Sequence, residues 1–165
     1  MLDYRIEACP AFQLIGKPLR VSIKSGENLT RIPQFWQECL SDGTHDRLLE
    51  FAAQSAVFPR STLGVCMDFE GNMEAFTYLI GSEHTSDEVP GGMVVRAVPA
   101  LTWAVFRCVG AMPEAIQNVW SEIMSGFFET APYRHREAPD IEVYPPGNAM
   151  QADYISEVWV PVKSK

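Results

Sequence analysis

Residues 32–40 read IPQFWQECL, and a similar string, IQNVWSEIM, recurs at residues 116–124. Both follow the template Ile-x-x-apolar-Trp-x-Glu-apolar-apolar, in which apolar side chains recur at helical spacing. Each string therefore predicts an amphipathic helix, and Trp36 and Trp120 occupy the same position of the two helices. A second copy of one helix indicates an internal duplication.

The segments that flank these two helices are typical of strands and match in their order. Strand-like residues precede each helix, and two further strand-like segments follow it. Around the first helix these segments are AFQLIGKPLRV (11–21), STLGVCMDF (61–69) and EAFTYLIGS (74–82). Around the second they are VVRAVPALTWAVFRCVG (94–110), PDIEVYPPG (139–147) and ADYISEVWVPV (152–162). The pattern predicts a β-α-β-β unit that occurs twice.

The order of these elements indicates the α+β fold class, with two main helices on one mainly antiparallel sheet. We expect a single domain over residues 1–165, with pseudo-repeats at about 1–85 and 92–165, because each half alone is too small for an independent core. Residues 45–56 fit either an additional helix or a loop. A pseudo-two-fold pair of units leaves a cleft at its junction, which is a usual place for a ligand.

The charge balance bears on the class of partner. The 165 residues include 21 acidic and 13 basic side chains, which gives a net charge of −8. Proteins that hold nucleic acid neutralise phosphates with basic residues, so we expect no direct nucleic-acid binding. An acidic surface instead favours cationic ligands.

Other functional classes have little support in the sequence. No apolar run is long enough for a membrane span and no signal peptide is apparent, so a cytoplasmic protein without membrane contact is expected. The four cysteines and three histidines show no metal-binding spacing, and no glycine-rich loop precedes a helix. We therefore expect no metal and no cofactor.

Glu157 stands out within the strand-like stretch 153–162, DYISEVWVPV. Side chains alternate along a strand, so Glu157 shares a face with Ile155 and Trp159. When this stretch is aligned in phase with residues 74–82, Glu157 falls opposite Tyr78 at the centre of the repeat. The alignment also places Phe76 opposite Ile155 and Ile80 opposite Trp159.

A carboxylate in such a position needs an explanation, because its desolvation without a partner is costly. Aromatic faces attract cations, so a carboxylate walled by aromatic rings would suit a lipophilic organic cation. The alternative is that Glu157 lies on a solvent face or pairs with an arginine. The arginines considered for that pairing are Arg5, Arg20, Arg96 and Arg107.

Three other aromatic residues are candidates for the cleft. Trp36 and Trp120 serve either as core anchors of their helices or as walls of a pocket. Tyr144 follows Glu142 by two residues, so the two share a face, and Tyr144 either lines the cleft or packs in the core.

Four segments together resemble the bacterial effector-binding domain, the gyrase-inhibitor-like, AraC-type ligand-binding module. The segments are FTYLIGSE (76–83), WAVFRCVGAMPEAIQNVWSEI (103–123), PDIEVYPPG (139–147) and SEVWVPV (156–162). The resemblance extends over essentially the whole chain.

This resemblance implies an antiparallel sheet curved into a partial barrel, with helices packed on it and a cavity between the halves. In multidrug-sensing members a glutamate on the last strand, in an E-x-apolar-x-Pro pattern, contacts lipophilic cations. That pattern falls on Glu157, with Trp159 and Pro161 following, and the first-half aromatic falls on Tyr78. The expected ligand-binding residues are Glu157, Trp159, Tyr78, Phe76, Trp36, Trp120, Tyr144 and Ile155.

The expected function is therefore non-catalytic binding of lipophilic cationic small molecules, in other words drug or effector sensing. Many members are fused to a DNA-binding domain, whereas this chain is expected to stand alone and to act on transcription through a partner. A small hydrolase that uses the pocket glutamate as general base is one alternative. An acidic inhibitor or interaction protein is another, and homodimerisation stays open.

Overall fold

The computed structural model describes residues 2–71 and 74–165, and strands make up most of it. Within these residues the strands are β1 (Tyr4–Cys9), β2 (Phe12–Ser22), β3 (Thr62–Glu70), β4 (Ala75–Glu83), β5 (Val94–Val98), β6 (Leu101–Val109), β7 (Tyr133–His135), β8 (Asp140–Tyr144) and β9 (Ile155–Ser164). The main helices are α1 (Glu27–Ser41), α2 (Thr44–Ala52) and α3 (Glu114–Glu122). A 3-10 turn, Lys24–Gly26, precedes α1, while a π-helical turn, Ile123–Phe127, and a last helical turn, Phe128–Thr130, follow α3.

Both predicted helices form, as α1 and α3, and residues 45–56 contribute a third, α2. The strand-like segment 94–110 is two strands, β5 and β6, separated at Pro99 and Ala100. The short strands β1 and β7 are additions to the predicted pattern. None of the helices among the described residues is long and apolar enough to cross a bilayer.

The strands form one sheet in the order β1-β6-β9-β8-β3-β4-β2-β5, and β7 pairs with β9. Each of these pairings is antiparallel. The two central strands, β3 and β8, come from different predicted repeats. The predicted α+β class with an antiparallel sheet is therefore confirmed.

One face of the sheet carries a single continuous core. Residues from both ends of the strand order meet there, because the ring of Phe12 on β2 lies 6.4 Å from that of Trp103 on β6. Such a contact requires the sheet to curl towards this face, which confirms the predicted partial barrel. We call this face the inner face. Its core contains Leu14, Leu63, Val65, Leu79, Val105, Ile141, Val143 and Trp159, among others.

The opposite, outer face carries two separate cores, one under each predicted helix. Phe35 and Cys39 of α1 pack on β2 and β4, together with residues of α2. Ile116 of α3 and Ile123 just after it pack on β6 and β9. Between the two cores lie the central strands β3 and β8. This arrangement leaves a position over the centre of the sheet that residues from both helices can reach.

Candidate functional site

Glu142 of β8 lies on the outer face at this central position. It is the register partner of Gly64 on β3 and of Val158 on β9. Direct cross-strand partners project from the same face of a sheet. Val158 belongs to the outer-face core under α3, so Glu142 projects between α1 and α3.

Three neutral side chains donate hydrogen bonds to the Glu142 carboxylate. The hydroxyls of Tyr78 and Tyr144 donate to Oε1 over 2.8 Å and 3.0 Å. The indole N–H of Trp120 donates to Oε2 over 2.9 Å. Hydrogen bonds to an ionised acceptor are stronger than those between neutral groups, so these donors hold the carboxylate in one orientation.

Trp36 of α1 extends this network. Its indole N–H donates to the Tyr78 hydroxyl over 3.0 Å, and its ring meets that of Tyr144 edge-on with centroids 5.3 Å apart. Trp36 and Trp120 occupy the same position of the two repeated helices, and both are half-buried. The duplicated tryptophans therefore converge on one carboxylate, in addition to anchoring their helices.

Gly64 makes the contact between Tyr78 and Glu142 sterically feasible. Tyr78 lies on β4 and Glu142 on β8, so the tyrosine side chain must cross the intervening strand β3. A Cβ atom on Gly64 would lie 2.2 Å from the Tyr78 hydroxyl oxygen and 2.5 Å from Glu142 Oε1. Real Cβ contacts essentially never come so close. The missing side chain at residue 64 is therefore a condition for the hydrogen bond.

The electrostatic setting favours a positively charged guest. Within residues 2–71 and 74–165, no basic side chain forms a salt bridge with Glu142. Burial raises the pKa of Glu142, while its three donors act in the opposite direction and nearby Asp140 adds to the rise. Burial also lowers the pKa of His45, whose ring lies beside Trp36, so that this histidine is neutral at pH 7.

Burial and the nearby carboxylate raise the pKa of both Tyr78 and Tyr144 well above the ordinary value of 10.0. Both hydroxyls therefore stay protonated at neutral pH and remain donors. The result is a half-buried carboxylate that neutral donors and aromatic rings surround. Such a site can attract a cation by charge and can contact it with ring faces.

A second buried carboxylate, Glu83, has a different environment. Its Oε1 accepts hydrogen bonds from the Ser55 hydroxyl and from the backbone N–H groups of Ala56 and Val57. These donors belong to the loop between α2 and β3, so Glu83 fixes the course of the backbone there. Glu142, by contrast, receives only side-chain donors from other elements and from its own strand, which is an arrangement suited to a ligand.

Glu157 does not share a face with Tyr78, so this part of the prediction is wrong. Glu157 is the register partner of Val143, which belongs to the inner-face core. It accepts a hydrogen bond from Arg5 over 3.0 Å, in a salt bridge, and another from the Trp159 indole over 3.0 Å. The arginine pairing that the sequence left open as an alternative is the one the structure contains.

The error has a simple geometric cause. Ile80 and Val158 flank the central pair Gly64–Glu142 on its two sides, which makes them equivalent in the two repeats. Tyr78 precedes Ile80 by two residues, and Ser156 precedes Val158 by two. The residue equivalent to Tyr78 is therefore Ser156, and alignment with Glu157 is out of phase by one residue. Such a shift moves a side chain to the opposite face of the sheet.

The remaining candidates divide between the two faces. Trp159 is 5% exposed in the inner-face core, where its ring contacts those of Phe58 and Trp103. Ile155 is 41% exposed at the start of β9. Phe76 shares the outer face with Tyr78 but stacks on Phe69 near the far end of β4. The structure thus brings together Tyr78, Tyr144, Trp36 and Trp120, and it places Trp159, Ile155 and Phe76 elsewhere.

Two cavities in the protein lie away from Glu142. One, of about 480 Å³, is lined by residues 8–10, residues 100–102 and Arg136. The other, of about 250 Å³, lies between α2 and residues 85–88. Neither contains a candidate ligand-binding residue.

Sequence reasoning missed Glu142 as the central carboxylate, although one signal was present. The sequence shows that Glu142 shares a face with Tyr144 in a strand that otherwise contains Asp140, Ile141 and Val143. The choice between Glu142 and Glu157 needed the register of β8 and β9, which the composition of these two strands does not specify.

The sequence profile of the Cass2 family, described as integron-associated effector-binding proteins, matches residues 5–162. No curated protein sequence matches the chain at a significant level.

Several solved structures share the fold, each at less than 25% identity. SAV2435 bound to tetraphenylphosphonium superposes with a TM-score of 0.84 at 22% identity, over 98% of this chain and 94% of that one. A putative transcription regulation protein from Staphylococcus aureus MU50 gives 0.79 at 23%, over 99% and 100%. An integron cassette protein from the mobile metagenome of Vibrio cholerae gives 0.71 at 17%, over 97% and 95%.

These matches confirm the predicted relation to effector-binding domains. The family profile extends over nearly the whole sheet and includes both helices and the Glu142 site. The chain belongs to the Cass2 family of integron-associated effector-binding proteins.

Proposed function

We propose that this protein binds lipophilic organic cations at Glu142, between α1 and α3, and acts as an effector sensor without catalysis. The observation that carries the proposal is the Glu142 carboxylate itself. It is half-buried, it has neutral donors, and no salt bridge to it occurs within the described residues. A cation that reaches this carboxylate gains a charge interaction in a poorly solvated setting, where such interactions are stronger than in water.

The surrounding rings support the same ligand class. Trp36, Trp120, Tyr78 and Tyr144 offer aromatic surface on both sides of the carboxylate, and each ring face that contacts a cation contributes about 0.5–2 kcal/mol. SAV2435, which has the same fold, was solved with tetraphenylphosphonium, a cation of this class. The net charge of −8 adds a long-range attraction for cations.

The charge requirement can be tested with two ligands of the same shape. Tetraphenylphosphonium and tetraphenylborate differ mainly in the sign of their charge. We expect the wild-type protein to bind the phosphonium at least tenfold more tightly, as measured by isothermal titration calorimetry at moderate salt. Equal affinities would mean that hydrophobic contact alone drives binding, and the proposal would then fail.

The raised pKa of Glu142 predicts a pH dependence. Burial holds this pKa above the ordinary glutamate value of 4.5, and only the ionised carboxylate attracts a cation. Tetraphenylphosphonium does not titrate, so its affinity should be constant at high pH and should fall as the pH drops through the Glu142 pKa. The fall approaches tenfold per pH unit, because binding then requires release of a proton. Titrations from about pH 8 down to about pH 4, which includes the ordinary glutamate value, check this.

The matched control for the pH series is Glu142→Gln, which cannot titrate. Its weaker affinity should not vary with pH over the same range. A fall of equal size in wild type and variant would assign the titration to another group.

A hydrolase at this site has less support. Three donors already occupy most of the lone pairs of Glu142, which makes the carboxylate a poor acceptor for a proton from water. Recovery of the ligand intact after long incubation would agree with a sensor, whereas turnover that Glu142→Gln abolishes would favour the enzyme.

The proposed effect on transcription passes through a protein partner, because a net charge of −8 opposes direct contact with DNA phosphates. A basic partner that is retained by the protein at low salt and released at high salt would agree with this route.

A further inference from the structure

We infer that the Glu142 site selects quaternary cations, which have no N–H groups, over primary ammonium cations of similar size. This inference rests on the proposed function, since it specifies which cations the same carboxylate accepts. It follows from how the lone pairs of the carboxylate are used.

An ionised carboxylate offers about four lone-pair positions. Three of them are occupied at Glu142: two on Oε1 by Tyr78 and Tyr144, and one on Oε2 by Trp120. About one position therefore remains for a ligand. A primary ammonium group carries three N–H donors, so at least two of them would find no acceptor on this carboxylate.

Other acceptors at this position are scarce. The Tyr78 hydroxyl already donates to Glu142 and accepts from Trp36. The Tyr144 hydroxyl also donates to Glu142, and its oxygen is left as one neutral acceptor. Trp36 and Trp120 have only N–H donors, which cannot accept. An ammonium group that left its hydration shell here would keep at least one of its three N–H groups without an acceptor from this set, and an unpaired N–H group away from water is costly.

A quaternary cation has no such requirement. Its charge is spread over alkyl or aryl groups, so it loses no hydrogen bond on entry. It can attract Glu142 without disturbing the three donors, and its substituents can contact the rings of Trp36 and Tyr144. The occupied lone pairs therefore disfavour cations that carry N–H donors.

The test uses octyltrimethylammonium and octylammonium, which are both ionised at pH 7.5 and share one alkyl chain. Tetraphenylphosphonium serves as the reference ligand. Because the three methyl groups add apolar surface, the ratio of the two dissociation constants in wild type is compared with the ratio in Trp120→Phe. That variant keeps an aromatic ring and frees one lone pair on Oε2 without removing an acceptor.

We expect wild type to prefer the trimethylammonium ligand by at least tenfold. In Trp120→Phe this preference should fall at least fivefold, because the freed lone pair can accept an ammonium N–H. Trp159→Phe is the matched control: it removes an indole N–H that donates to Glu157 on the inner face, and its preference should equal that of wild type.

Two results would overturn the inference: equal affinity of wild type for the two octyl ligands, or an unchanged preference in Trp120→Phe. In both cases tetraphenylphosphonium would still bind, and the proposed function would stand. Failure of wild type to bind tetraphenylphosphonium would instead remove the proposed function, and the inference with it.

Discussion

Replacement of Glu142 with glutamine is expected to weaken tetraphenylphosphonium binding by roughly 100-fold. At a separation of about 5 Å and an effective dielectric constant of about 20, the lost attraction between unit charges is worth about 3 kcal/mol. Every 1.4 kcal/mol corresponds to about tenfold in Kd. Calorimetric titration of both proteins at the same ionic strength measures the change directly.

Glu157→Gln is the matched control. It neutralises a carboxylate on the neighbouring strand β9 that faces the inner side of the sheet, where Arg5 already pairs with it. Its affinity should stay within about twofold of wild type. Loss of binding in Glu157→Gln together with normal binding in Glu142→Gln would reverse the assignment. Thermal unfolding of both variants verifies that each is folded.

Glutamine at residue 142 places an N–H donor near the indole N–H of Trp120, since a glutamine amide has an acceptor on one side only. If Glu142→Gln proves unstable, the double variant with Trp120→Phe removes this conflict. The double variant should still bind tetraphenylphosphonium less tightly than Trp120→Phe alone by a similar factor.

Gly64→Ala is expected to have the second largest effect, because it perturbs both stability and binding. Gly64 has no backbone angle that excludes alanine, so the effect is steric. The new Cβ would force apart Tyr78, which is only 2% exposed, and Glu142. Overpacking of this kind costs about 1–3 kcal/mol. We expect the melting temperature to fall by roughly 6 °C, and tetraphenylphosphonium affinity to fall by about tenfold through loss of a fixed carboxylate orientation.

Gly91→Ala provides the comparison, since a Cβ at residue 91 meets nothing within 4 Å. It should leave both the melting temperature and the affinity near wild-type values. If Gly64→Ala behaves like Gly91→Ala, the proposed passage of Tyr78 over β3 is not the arrangement that holds Glu142.

The duplicated helix pattern was sufficient to predict the architecture. Apolar residues at helical spacing around Trp36 and Trp120 identified α1 and α3, and the flanking apolar runs identified β2, β3, β4, β6, β8 and β9. These patterns involve residues that are close together in the chain, so they can be recognised in a single sequence. Pairing of β1 with β6 and of β5 with β2 depends on contacts between distant residues, and short edge strands carry little pattern of their own.

The candidate site was predicted only in part. The expectation of a carboxylate among aromatic rings between the halves fits the surroundings of Glu142, and four of the expected aromatic residues lie there. Glu157 was predicted on the face of Tyr78 and lies on the opposite one, because side-chain orientation reverses with every residue of a strand and the alignment was out of phase by one residue. Ser156, the true equivalent of Tyr78, has no aromatic ring, so the residue type did not indicate that the two positions are equivalent.

The structural role of Gly64 could not be predicted either. A glycine in a strand indicates close approach of some group, but the identity of that group depends on the register of β4 and β8 with β3. Only the three-dimensional arrangement shows that Tyr78 passes over this residue to reach Glu142.

A crystal structure of the complex with tetraphenylphosphonium is the most direct test of the central claim. We expect the ligand to lie on the outer face, between Trp36 and Trp120, with its charge against the Glu142 carboxylate. A ligand bound on the inner face beside Glu157 and Arg5, or in the 480 Å³ cavity next to Arg136, would contradict it.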